Sequence, residues 1–113
     1  MYEYRIDKIN RIIDGDTLDV AIDLGFHITI NQRVRLGGID APETRTRDLQ
    51  EKEKGLESKE WLTKKLDTTE SLKIKTEKED KYGRILGWIY IGNNDKSINT
   101  HMIEEGYAEP YIP

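Results

Sequence analysis

Leu18-Asp19-Val20-Ala21-Ile22-Asp23-Leu24-Gly25-Phe26-His27-Ile28-Thr29-Ile30, continued to Val34-Arg35-Leu36, is the stretch whose reading decides the fold. Leu18, Val20, Ile22 and Leu24 recur with period two, the pattern of a half-buried strand. Gly25 punctuates the run, and Phe26, Ile28 and Ile30 resume the alternation up to Val34 and Leu36. Two antiparallel strands joined near Gly25 follow. With Val34 and Leu36 turned inward, Arg33 and Arg35 share the opposite face, so Arg35 projects from a rigid element.

The flanking sequence extends this β pattern. Tyr2, Tyr4 and Ile6 share one parity, Leu72-Lys73-Ile74-Lys75 alternates again, and Ile85–Ile91 reads as a buried strand apolar on both faces. Gly92-Asn93-Asn94-Asp95 is a turn. Arg45–Lys54 is polar and lacks apolar periodicity, which predicts a mobile loop. The helix formers of Gly55–Leu66 then predict a helix with Leu62, Leu66 and Trp61 toward the core. A second, shorter helix is expected from Ser97 or Asn99, burying Ile98, Met102 and Ile103 and stopping at Gly106. Five strands interrupted by two helices predict a mainly β, α+β domain over residues 1–113, a small closed barrel of the OB type.

A chain of 113 residues, 35% hydrophobic and 35% charged, suits one domain with a modest core. It has no cysteine, which excludes disulfides and thiolate metal sites. Met1 is followed by Tyr2-Glu3-Tyr4-Arg5, and no apolar run resembles a signal core or a membrane span. The chain as given is expected to be cytoplasmic, or secreted if a leader has been removed. A net charge of −4 argues against a general nucleic-acid coating protein. Basic residues nonetheless gather around three short runs, as Arg33, Arg35, Arg45, Arg47, Lys81 and Arg84. Local charge steers a polyanion more than the global sum does.

Those runs carry the chemistry. Asp14-Gly15-Asp16-Thr17, taken alone, reads as an Asx turn. Asp40-Ala41-Pro42-Glu43 adds two carboxylates around a stiff proline, but a bare turn gives no reason for Arg35 five residues ahead. Asp80-Lys81-Tyr82-Gly83-Arg84 supplies a second arginine, where a plain hairpin with solvated charges is the competing reading. Carboxylates gather a hard cation, and two guanidinium forks match phosphate oxygens. His27 on a strand and His101 in a helix have no partner at ligand or triad spacing, so ordinary surface roles are expected.

In this order and spacing the three runs resemble the staphylococcal nuclease-like (thermonuclease) family, from about Arg5 to about Tyr111. The resemblance implies an OB-fold nuclease that uses calcium to hydrolyse DNA or RNA with little sequence preference, leaving 3′-phosphate ends. Asp16, Asp40 and the Ala41 carbonyl resemble the metal ligands. Glu43 resembles the carboxylate that activates water, and Arg35 and Arg84 the pair gripping the scissile phosphate. Lys81, Tyr82 and Tyr111 resemble groups lining the nucleotide pocket, while Asp14, Thr17 and Thr44 fill more structural positions. Longer members continue into a third helix, so that helix is expected to be missing from a chain ending at Pro113. The expected substrate is single-stranded or unpaired nucleic acid, with no membrane partner; the oligomeric state stays open, with a monomer as the default. The alternative is an inactive OB-type module that binds nucleic acid or a protein, although such relatives usually lose the carboxylates or arginines kept here.

Overall fold

The computed structural model of the chain describes residues 2–79 and 83–111. Its elements, in chain order, are β1 (Tyr2–Asp14), β2 (Thr17–Gly25), β3 (Ile28–Leu36), β4 (Ile39–Asp40), α1 (Leu49–Leu66), β5 (Leu72–Glu79), β6 (Ile85–Ile91), α2 (Ile98–Glu104) and β7 (Glu109–Pro110). Strands β1, β2, β3, β6 and β5 close into a barrel in that order, the OB-type architecture expected from the alternation. All its pairings are antiparallel except β3 with β6, which run parallel over Val34–Leu36 and Ile85–Gly87.

Closure needs a strand long enough to pair on both sides, and β1 serves. Its first half pairs β5 through Tyr2–Ile6, and the strand pairs β2 from Arg5 to Asp14. Three register shifts along β1 bend it around the barrel, as bulges do. Inside lie Ile6, Leu18, Val20, Ile22, Val34, Leu36, Ile74 and Ile89, with Leu62 and Leu66 of α1 and Ile98 and Met102 of α2 completing the core. Burying each large aliphatic side chain contributes about 1.5–3 kcal/mol.

Several expectations are corrected. Helix α1 begins at Leu49, inside the stretch read as a loop. The Asp48 side chain accepts from the amides of Gln50 and Glu51, a capping that outweighs the lack of apolar periodicity. His27 is not on a strand: it and Phe26 are the turn between β2 and β3, at φ of 63° and 54°. Ile28 and Ile30 keep the alternation but lie 53% and 40% exposed, because this end of the hairpin extends past the barrel wall. Strand β6 is buried on one face only; Leu86, Trp88 and Tyr90 on its other face are half-buried. Ile103 is half-buried, while the helix buries Asn99 instead. The two-residue strands β4 and β7, which pair Ile39 with Pro110 and Asp40 with Glu109, are too short to leave a period in the sequence.

Beyond Leu36 one further backbone bond joins β3's chain to β6, from the Gly37 amide to the Gly87 carbonyl at 2.9 Å. Asn99 of α2 takes over the pairing. Its amide donates to the carbonyls of Gly37 and Gly87 at 2.9 and 3.0 Å, and its oxygen accepts from the Ile89 amide. One buried asparagine thereby fastens the turn after β3 to the barrel, satisfying all three backbone groups.

Candidate active site

The site begins with the hairpin between β1 and β2, since Asp14 pairs with Thr17 and leaves Gly15-Asp16 as its tip. Asp16 is 8% exposed, and the Leu36 amide donates to its carbonyl at 2.8 Å. Its carboxylate accepts from the Thr17 hydroxyl and from the Ala41 amide, 2.9 Å away. The β1–β2 tip is therefore bonded to the segment after β4 that carries the second carboxylate. Asp14 makes the matching tie on the other side, accepting from both the amide and the hydroxyl of Thr44.

Arg35 sits between the two acids. One guanidinium nitrogen lies 3.3 Å from Asp16 and the other 3.7 Å from Asp40, so the carboxylates converge on a single cation. The first nitrogen also donates to the Leu36 carbonyl at 3.1 Å. Tyr111 covers the group, its ring centroid 5.7 Å from the guanidinium carbon, within cation–π range. The β4–β7 pair carries Tyr111 there, and its amide donates to the Gly38 carbonyl.

Asp16, Asp40, Ala41, Arg35 and Tyr111 are thus brought together. Glu43 is exposed on the loop between the Asp16–Ala41 and Asp14–Thr44 ties. Its backbone is fixed from beneath by α1, where a Cβ on Gly55 would stand 2.5 Å from the Glu43 carbonyl oxygen. Arg84 is half-buried one residue before β6, two residues ahead of Leu86, the registered partner of Arg35. Lys81 and Tyr82 lie outside the described residues. Arg33 is held by Asp19 across the β2–β3 pair at 2.8 and 3.1 Å. That hydrogen bond, with the charge behind it, keeps the Asp19 carboxyl below the usual carboxylate range.

Sequence reasoning missed Gly55 and Asn99, which position the Glu43 and Gly37 segments. The available signals were a glycine among strong helix formers and a polar side chain beside Ile98 in the run Ile98-Asn99-Thr100-His101-Met102.

The donor chemistry fits a hard cation: two carboxylates and a neighbouring backbone carbonyl, with no nitrogen or sulfur among them. Among the described residues no cluster of three or more His, Cys, Asp or Glu side chains assembles. A cleft of about 520 Å³ opens beside Asp40 and Ala41, between α1 and the Gly106–Glu109 segment. Asp48, Glu51, Glu57 and Glu109 line it against a single Lys54, a field that repels a polyanion.

An OB-type barrel presenting paired acids and an arginine at one end defines the class of protein. The family model described as staphylococcal nuclease homologue matches residues 33–112, and the chain belongs to that family. It is 33% identical over 102 residues to the Thermonuclease of Staphylococcus intermedius, covering 88% of this chain and 56% of that protein. It is 37% identical over 113 residues to the Micrococcal nuclease of Shigella flexneri, covering 92% of this chain and 57% of that one. An uncharacterized protein of Methanocaldococcus jannaschii is 29% identical over 134 residues, with 98% and 61% covered. The chain therefore spans somewhat more than half the length of these relatives. No described helix is long and apolar enough to cross a membrane.

Proposed function

We propose that the protein is a calcium-dependent nuclease that hydrolyses phosphodiester bonds of DNA or RNA with little sequence preference, leaving 3′-phosphates. The observation that carries this reading is the convergence of Asp16 and Asp40 on Arg35, in a chain whose relatives include a Thermonuclease and a Micrococcal nuclease.

Asp16, Asp40 and the Ala41 carbonyl would hold the calcium ion, with water and a phosphate oxygen completing its shell. When bound, the ion supplies Lewis-acid polarisation of the phosphoryl group and orders nearby water. The remaining work falls to the chain. Arg35 is poised to trade its carboxylate contacts for phosphate oxygens, which its fork matches bidentately. Arg84, ahead of the neighbouring strand, offers a second permanently charged fork for the equatorial oxygens as negative charge builds. Glu43, exposed on its loop, accepts the proton from attacking water. Tyr111 backs the Arg35 guanidinium and presents a ring to a base. Lys81 and Tyr82 join it as proposed substrate contacts on sequence grounds. The site reads no base edges, which suits the lack of sequence preference.

The test is incubation of single-stranded and duplex DNA and RNA with the protein, with calcium and with a chelator, beside the Glu43→Gln variant. Calcium-dependent shortening by wild type but not by the variant is expected. Retained binding without shortening in every arm would instead identify the inactive OB-type module.

A further inference from the structure

The outward face of β6 continues away from the site and is not used by the chemistry above. Arg35 is registered with Leu86, so the two share this face. The same parity then presents Trp88 and Tyr90, while their partners on β5 are Lys75 and Lys73. Each of these four side chains is half-buried, and the alternate residues Gly87, Ile89, Ile74 and Thr76 are buried. A stripe of aromatic rings flanked by lysines therefore starts at Arg35 and runs about 13 Å along the strand, at ~3.3 Å per residue.

Two details show how the stripe is built. Trp88 lies over the turn after β3, in space that a Cβ on Gly37 would fill, 2.3 Å from the indole ring. The ring is therefore continuous with the turn whose Gly38 carbonyl holds Tyr111. At the far end, the Lys75 ammonium stands 5.0 Å from the centre of the Tyr90 ring. Beside it a cleft of about 360 Å³ opens between Lys73, Lys75, Tyr90 and the Gly92–Asp95 turn. Neither lysine takes part in an ion pair among the described residues. Glu3, the registered partner of Lys75 on β1, lines this cleft together with Asp95, and Glu77 is paired with Leu86 beside the start of the stripe. These carboxylates flank the lysines, which leaves the β6 side as the approach for a phosphate.

We propose that this stripe is an extended binding track for a single nucleic-acid strand, leading from the phosphate held at Arg35. Bases rest against Trp88 and Tyr90, and the backbone phosphates lie near Lys75 and Lys73. Stacking rings alternating with cations is the means by which single strands are gripped irrespective of sequence. A duplex cannot use the track, since its bases face one another. The inference rests on the nuclease reading and adds where the rest of the substrate lies.

The experiment titrates labelled decathymidylate and trithymidylate into the Glu43→Gln protein with calcium, by fluorescence anisotropy over a range of salt. The double substitution Lys73→Glu/Lys75→Glu should weaken the decamer at least tenfold. Its salt slope should fall by about 1.4, two phosphates at ~0.7 each for a single strand. The trimer, which reaches Lys75 but stops short of Lys73, should lose less affinity than the decamer. Lys59→Glu/Lys64→Glu, the same charge change on α1, should weaken the decamer less than threefold. In a Trp61→Phe background Trp88 is the sole tryptophan, and the decamer should quench it. Equal decamer affinity and slope in both double variants, or no quenching, overturns the track while leaving the nuclease reading intact. If neither oligonucleotide binds and wild type cuts neither, both readings fall together.

Discussion

At the residue scale Arg35 matters most, because it is ion-paired with both acids, donates to the Leu36 carbonyl and is covered by Tyr111. Arg35→Met should lower kcat by about 10²–10³, or 3–4 kcal/mol of barrier, by analogy with loss of a preorganised oxyanion donor. Circular dichroism should show the barrel intact; wild-type turnover by a folded variant would refute the assignment. Asp16 is a different case, because it is buried and its carboxylate also secures the Ala41 amide. Asp16→Ala should therefore destabilise the fold by about 1–3 kcal/mol as well as abolish activity, measurable as a lowered urea midpoint. That Arg35 projects opposite Val34 and Leu36 was legible in the sequence from strand parity; its ion pairs with Asp16 and Asp40 were not, because parity does not place the loops that carry the acids. Its coverage by Tyr111 was not legible as geometry, because that depends on the two-residue pair of β4 and β7.

Elements decide how firmly those residues are held. Helix α1 approaches the loop that carries Glu43 so closely that only a glycine fits at position 55, against the Glu43 carbonyl and the Pro42 carbonyl. An alanine there would favour the isolated helix by about 1 kcal/mol, yet it must push the loop or the helix away. Gly55→Ala should lower kcat at least tenfold while KM for short oligonucleotides changes little, because Glu43 shifts and the phosphate grip does not. Unaltered kcat would show that Glu43 does not depend on this packing. The helix start illustrates the limit of sequence reading. Leu49 and Leu56 are 78% and 49% exposed, so the first turns carry no apolar face to detect. The Asp48 cap was the one signal, submerged among neighbouring charges. By contrast the β2 alternation was legible because Leu18, Val20 and Ile22 all reach the barrel interior.

Across the whole molecule, the β2–β3 hairpin is where local sequence and global shape disagree. The barrel buries one end of the hairpin, and the other end carries Leu24, Phe26, Ile28 and Ile30 into solvent, with Phe26 95% exposed. Alternation alone cannot reveal this, since it reports which residues share a face and not where the wall ends. The turn itself is strained: Phe26 and His27 both adopt positive φ, the signature of a type I′ turn that favours Asn-Gly. Left-handed backbone costs roughly 1–2 kcal/mol at each non-glycine residue. Phe26→Asn with His27→Gly should therefore stabilise the protein by about 1–2 kcal/mol, raising Tm by roughly 5–10 °C. Ile28 to Arg35 spans about 23 Å of strand at ~3.3 Å per residue, so cleavage of a short oligonucleotide should not change. Calorimetry and a cleavage assay on the same preparation check both halves of the claim. A lowered Tm would mean that the exposed phenylalanine contributes contacts in solution that offset its strain.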